Sequence, residues 1–112
     1  MNKANIDIII LDQIDSTNNE AQRALSYKSN FPFWIIANEQ TSGRGRKNRY
    51  WVSQKGNFMG TFVLEHKIEK QYIPHLSFVT SLALRETIEG FNKGDKEIFL
   101  KWPNDIIIKD SK

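Results

Sequence analysis

Apolar residues in this chain come in short blocks whose spacing changes from strand-like to helix-like and back. The β-branched run Ile8-Ile9-Ile10, followed by Leu11, predicts a largely buried strand over Ile6 to Ile14. Thr17-Asn18-Asn19-Glu20 has the form of a capping box, or Ser16 caps one residue earlier; Ala21, Ala24, Leu25 and Lys28 then follow at helical spacing. That helix is expected to run to Tyr27 or Lys28. Ser29-Asn30-Phe31-Pro32 breaks it, and Phe33-Trp34-Ile35-Ile36-Ala37 is strand-like again, leading to Glu39 and Gln40.

After a polar turn at Ser53 to Asn57, residues Phe58 to Glu65 predict a third strand, antiparallel to its predecessor because no crossover helix separates them. Gly60 within it marks a close backbone approach. Pro74 suits the first turn of a second helix, whose apolar stripe Leu76, Val79, Leu82, Ala83 and Ile88 is expected to be mostly core and to stop at Gly90 and Gly94. Two further strands, Ile98 to Trp102 and Ile106 to Ile108, are hinged at Pro103-Asn104-Asp105. The order β, α, β, β, α, β, β fits an α+β domain, a mixed β-sheet with helices packed on one face.

Between the second and third strands lies a stretch with no apolar period. Gln40 to Trp51 reads Gln-Thr-Ser-Gly-Arg-Gly-Arg-Lys-Asn-Arg-Tyr-Trp and carries Arg44, Arg46, Lys47 and Arg49. Neither helix nor strand gains from burial here, so the stretch is a loop. Gly43 and Gly45 permit positive φ and a close approach of backbone N–H groups to a bound group, and guanidinium forks pair with carboxylate or phosphate oxygens. Anion binding is the direct chemical reading; a solvated basic turn and a nucleic-acid patch are the alternatives.

Charge favours the small anion. The chain has 112 residues and a formal net charge of +3, so removing the loop's four cations leaves about −1 for the remainder. A polyanion usually recruits cations across a whole face instead. The length suits one domain, large enough for a hydrophobic core. The chain lacks cysteine, which removes disulfides, thiolate chemistry and Cys-based metal sites and leaves the redox compartment open. The start of the chain, interrupted by Asp7 and Asp12, is too acidic for a signal sequence, and no stretch reaches membrane-spanning length, so a cytoplasmic soluble protein is expected.

Three blocks, Ser16-Thr17-Asn18, Gly43-Arg44-Gly45-Arg46 and Lys101-Trp102-Pro103-Asn104-Asp105, occur in an order and spacing that resembles the catalytic domain of biotin protein ligases. A lone Gly-Arg-Gly-Arg would be weak; three blocks in register are specific. The resemblance implies a class II aminoacyl-tRNA-synthetase-like fold and a two-step reaction: biotin and ATP give biotinyl-adenylate, which a lysine of a biotin carboxyl carrier protein then attacks. It implies biotin-binding roles for Ser16, Thr17, Asn18, Gln40, Gly43 and Arg44, and ATP-binding roles for Arg46, Trp51, Asn104 and Asp105. Arg44, Arg46 and Lys112 would be catalytic, by electrostatic stabilisation of the adenylation step. Mg²⁺ would arrive with the nucleotide, with Asp105 as a ligand of the hard-oxygen kind that ion takes.

Each of these residues also has a structural reading: helix capping for Ser16 and Thr17, core packing for Trp51, turn formation for Asn104 and Asp105, plain solvation for Lys112. Asn48 and Tyr50 depart from the commoner basic and glycine pattern after the motif, which makes the inner loop less flexible. The resemblance also implies that residues 1–112 are an N-terminal portion of the catalytic domain, without a DNA-binding domain or a C-terminal β domain, and weakly active or inactive alone. No DNA or membrane partner is expected, and homodimerisation stays open. A lipoate or octanoate ligase or transferase of the same fold, and a non-catalytic anion- or nucleic-acid-binding fragment, are the alternative functions.

Overall fold

The computed structural model describes residues 5–110 and divides the chain into two compact units, one ending at His66 and the other starting at Lys67. In the first, strand β1 (Asp7–Ile14) is followed by helix α1 (Thr17–Ala24), strand β2 (Phe33–Gln40) and strand β3 (Met59–Val63). The sheet order is β1-β2-β3. β1 and β2 are parallel, with Ile9 opposite Ile35 and Ile14 opposite Gln40, a pairing that needs the crossover α1 provides. β2 and β3 are antiparallel, with Trp34 opposite Phe62 and Ile36 opposite Gly60. The sheet is therefore mixed.

The core of this unit lies between α1 and the sheet. Residues i, i+4 and i+7 of α1, which are Thr17, Ala21 and Ala24, form its buried face. The two alanines let the helix close on Phe33 and Ile35, both fully buried, with Ile9, Leu11, Phe31 and Val63 packed around them. Alternation along β2 sends Trp34 to the other face, where its ring lies 4.8 Å from that of Phe62 and 6.0 Å from that of Phe58. Gly60 is the close approach expected of it: a Cβ there would come within 2.9 Å of the Phe58 ring.

Several expectations are corrected. β1 is an edge strand of its sheet and none of its residues is fully buried; Ile9 and Leu11 pack inward while Ile8 and Ile10 are exposed, so the apolar run reads as alternation. α1 ends at Ala24 and the chain continues in turns, with the Lys28 N–H bonded to the Ala24 carbonyl. Of the two caps the sequence offers, Ser16 is the one used: its Oγ accepts the Asn19 N–H at 3.0 Å. Thr17 thus becomes a helical residue with its side chain turned inward.

The second unit holds helix α2 (His75–Phe91) and a hairpin of β4 (Lys96–Lys101) and β5 (Asp105–Asp110), paired antiparallel with Lys101 opposite Asp105. α2 packs on the hairpin, and Phe78 meets Trp102 at 6.2 Å between ring centroids. α2 is not the mostly buried core helix expected: none of its residues is buried, because a two-stranded hairpin covers only part of a 17-residue helix. It runs through Gly90 and ends ahead of Gly94, which has φ +85°. Trp102 lies in the hairpin turn, not in β4.

Candidate functional site

The first unit gathers most of the expected site residues at one end of its sheet. β2 ends at Gln40, and the basic loop starts there, its root tied to β1 by Thr41 N–H to the Ile14 carbonyl at 2.9 Å and Ser42 N–H to the Asp15 carbonyl at 2.7 Å. The loop is folded back on itself. Gln40 pairs with Ser53 and Arg44 with Tyr50 in isolated antiparallel bridges, and the Trp51 N–H bonds to the Gly43 carbonyl at 3.0 Å. A single 3-10 turn at Arg46–Asn48 makes the tip, closed by Gly45 N–H to the Arg49 carbonyl at 2.6 Å.

The glycines of the loop act otherwise than expected. Neither Gly43 nor Gly45 has positive φ; that conformation falls on Lys47 (φ 57°) and Asn48 (φ 59°). Gly43 is needed for space. A Cβ there would meet the Trp51 carbonyl at 2.7 Å and the Gln40 amide at 3.2 Å, and would collide with Ser53 Oγ. Gly45 is less constrained, its nearest neighbour being the Trp51 ring at 3.5 Å.

Beside the loop root is a buried polar cluster. Ser16, Thr17 and Ser53 are each at most 5% exposed. The Gln40 Oε1 accepts both the Thr17 N–H (2.7 Å) and the Thr17 hydroxyl (3.1 Å), while its Nε2 donates to Ser53 Oγ (3.0 Å). Both carbonyl lone pairs are thus taken, and one N–H of the amide has no hydrogen-bond partner among the described residues. The Thr61 hydroxyl on β3 lies 2.8 Å from Thr17 Oγ1 and 2.6 Å from Asn18 Oδ1, donating to one of them at a time.

A second network is charged. Asp15 receives both terminal nitrogens of Arg23, at 2.6 and 3.1 Å, together with the Ser16 N–H and the Asn19 amide. Arg23 also reaches Glu20 at 3.0 Å. The guanidinium beside Asp15, then the Ser16 N–H and the Asn19 amide, hold its carboxyl far below the usual carboxylate range; Asp15 and Glu20 in turn raise Arg23. Asn19 passes this order on, since its Oδ1 accepts from Arg44. Arg44 is otherwise exposed, at the edge of a shallow cavity of about 410 Å³ shared with Asn19, Gly43 and Tyr50.

Ser16, Thr17, Asn18, Gln40, Gly43 and Arg44 therefore converge, with Arg46 and Trp51 exposed on the same loop. Asn104 and Asp105 belong to the second unit, where Asn104 lies in the hairpin turn and Asp105 opens β5. Lys112 lies outside the described residues. Asp15, Asn19, Arg23, Ser53 and Thr61 complete the networks without being anticipated; the Ser-Thr-Asn block sits next to Asp15 and Asn19, but nothing in the spacing marks Ser53 or Thr61. A larger hollow of about 900 Å³ lies at the opposite strand ends, near Asp7, Pro32 and His66, and lacks such a convergence of cations and amides. Among the described residues no group of three or more His, Asp or Glu side chains could hold a metal ion, and no helix is long and apolar enough to cross a membrane.

Known proteins share both sequence and fold with this chain. A biotin–[acetyl-CoA-carboxylase] ligase from Paracoccus denitrificans is 38% identical over 103 residues, which cover 92% of this chain and 42% of that protein. The biotin protein ligase of Leishmania major, solved in complex with biotinyl-5-AMP, superposes with a TM-score of 0.80 at 29% identity over 93% of this chain and 48% of that one. The Aquifex aeolicus biotin protein ligase, solved with biotin and ATP, gives 0.74 at 32% identity over 89% of this chain and 40% of its own. The chain thus spans less than half the length of these relatives. Its residues 10–112 match the Biotin/lipoate A/B protein ligase family, and the chain belongs to that family.

Proposed function

We propose that this chain is a portion of the catalytic domain of a cytoplasmic biotin protein ligase, activating biotin with ATP and passing it to a lysine of a biotin carboxyl carrier protein. The observation that carries this reading is the junction at the start of α1. There a buried hydroxyl, that of Thr17, paired with the partly buried Gln40 amide, stands beside a braced arginine, Arg44. A cyclic urea is neutral and polar and, once buried, needs donors and acceptors matched to it. A carboxylate on a short chain needs a cation. Biotin carries both groups.

In the first step the biotin carboxylate oxygen attacks the α-phosphorus of ATP; the new P–O bond forms as the α–β bridge breaks and pyrophosphate leaves. Ser16, Thr17, Asn18 and the free N–H of Gln40 would orient the ureido ring. Gly43 would let the loop backbone close in beside it. Arg44 and Arg46 would hold the carboxylate and the phosphate oxygens, stabilising charge that grows in the transition state. Trp51, Asn104 and Asp105 would attend the nucleotide, and Lys112 would add a cation. In the second step the carrier lysine amine attacks the acyl carbon, the acyl–phosphate bond breaks, and AMP leaves.

Mg²⁺ fits as a companion of ATP. Asp105 would supply one hard oxygen, with substrate phosphates and waters completing such a site. The relatives solved with biotin and ATP and with biotinyl-5-AMP support this substrate set. The test is isothermal titration of the chain with biotin, lipoate and a non-hydrolysable biotinyl-adenylate mimic, repeated on Arg44→Ala. Biotin and the mimic are expected to bind, and the substitution to weaken the mimic about 10- to 100-fold, as loss of a charged hydrogen bond does. Preference for lipoate, or indifference to the substitution, overturns the reading.

A further inference from the structure

We propose that Asn19 is a positioning residue for Arg44, and that the Asp15–Arg23 pair fixes Asn19 so that one helix turn sets both the polar pocket and the anion clamp. The inference rests on Arg44 being that clamp, as proposed above, and goes beyond it by naming what holds the arginine in place.

An arginine on an exposed loop samples many rotamers, and ordering it on binding costs affinity. Here the ordering is built in beforehand. The Asn19 amide has no spare orientation: its Nδ2 donates to Asp15 at 3.1 Å, which obliges its Oδ1 to face Arg44. Asp15 is itself gripped by the two nitrogens of Arg23, a fork-to-fork pair that defines the carboxylate plane. Asn19 also lies in the first turn of α1, two positions after Thr17, whose N–H and hydroxyl are bonded to Gln40. The helix start thus binds β2 with one residue and the basic loop with another. It holds the amide pocket and the guanidinium at a set separation, which suits a ligand with a polar head and an acid at its far end.

Asn19 leaves the remaining nitrogens of Arg44 free to meet an anion, since its Oδ1 takes only one of them. An aspartate at the same place would offer Arg44 a competing charge; the neutral amide orients the guanidinium without neutralising it. This accounts for a neutral residue at position 19 between an acid and a base.

The test is a double-mutant cycle read by isothermal titration of the chain with the biotinyl-adenylate mimic. It compares the unaltered protein, Arg44→Ala, Asn19→Ala, the double variant and Arg23→Gln, each checked for folding by circular dichroism. Asn19→Ala is expected to weaken binding about 3- to 10-fold, the cost of ordering one long side chain, and to add nothing once Arg44 is already alanine. Arg23→Gln is expected to give a smaller loss in the same direction, and it replaces Asn19→Ala in the cycle should that variant not fold. A merely structural role for Asn19 would make the losses additive. Additive losses, or unchanged affinity in Asn19→Ala, overturn the positioning role while leaving Arg44 as the clamp. An Arg44→Ala protein that binds as well as the unaltered one, or an unaltered chain that binds nothing, overturns the clamp and this inference with it.

Discussion

At Gly43 the absence of a side chain decides the geometry. The Trp51 carbonyl, 2.7 Å from where a Cβ would stand, belongs to a residue whose N–H is bonded to the Gly43 carbonyl, so it cannot step aside cheaply. Gly43→Ala is therefore expected to cost about 1–3 kcal/mol, as overpacking does, and to open the pairing between Gly43 and Trp51. Urea denaturation gives the first quantity, and amide exchange at Trp51 reports the second. Lys47 behaves oppositely. Its φ of 57° is the left-handed region that a lysine enters at a cost, so Lys47→Gly is expected to be neutral or to gain up to about 1 kcal/mol in the same denaturation experiment. Composition and spacing pointed to glycine as the hinge of this loop. They missed that a folded-back tip places the left-handed turn on Lys47 and Asn48, while the glycine ahead of it serves close packing.

Elements were easier to read than their surroundings. The seven strands and α-helices of the described residues were anticipated in order and type, because apolar period and turn chemistry are local properties; burial is not, and β1 and α2 were both expected to be more enclosed than they are. Side-chain networks are equally non-local, which is why Thr61 and Ser53 could not be seen. The contrast between the helices is measurable. Phe33→Ala, under α1, should remove about 3–5 kcal/mol, whereas Val79→Ala on α2 should stay within about 0.5 kcal/mol, both by denaturation.

The start of α1 adds a dependence on pH. The folded state lowers the Asp15 pKa, so the pair with Arg23 stabilises α1 above the unfolded carboxylate value of about 4 and loses that effect as pH falls through the lowered folded value. The Arg23 and Asp15 side chains are 49% and 36% exposed, which limits the size of the effect. The stability gap between the unaltered protein and Arg23→Gln should be constant near neutrality and shrink on acidification below about pH 4. A gap that widened instead would show that another group controls the helix start.

Across the whole molecule, charge distribution separates the two kinds of anion the basic loop could meet. With a net charge of +3, the four loop cations account for slightly more than the entire positive excess, so a polyanion laid beyond the loop would meet a surface without net attraction. A small ligand needs only Arg44, Arg46 and their neighbours. The two cases differ in how affinity falls with salt. Each phosphate neutralised on a duplex contributes about 0.9 to the slope of log K against log salt, so a nucleic-acid patch using all four cations would give a slope of about −3.6. A compact carboxylate or adenylate has no condensed ion atmosphere to release, and its binding should weaken only through screening, with a slope no steeper than about −1 between 50 and 200 mM salt. Titrating the biotinyl-adenylate mimic and a short DNA duplex across that range decides between them. A shallow slope for the mimic, with duplex binding weak throughout, is expected of a loop built to close on one anion; a steep slope and tight duplex binding would turn the basic loop into a nucleic-acid surface and detach it from the pocket formed by Thr17 and Gln40.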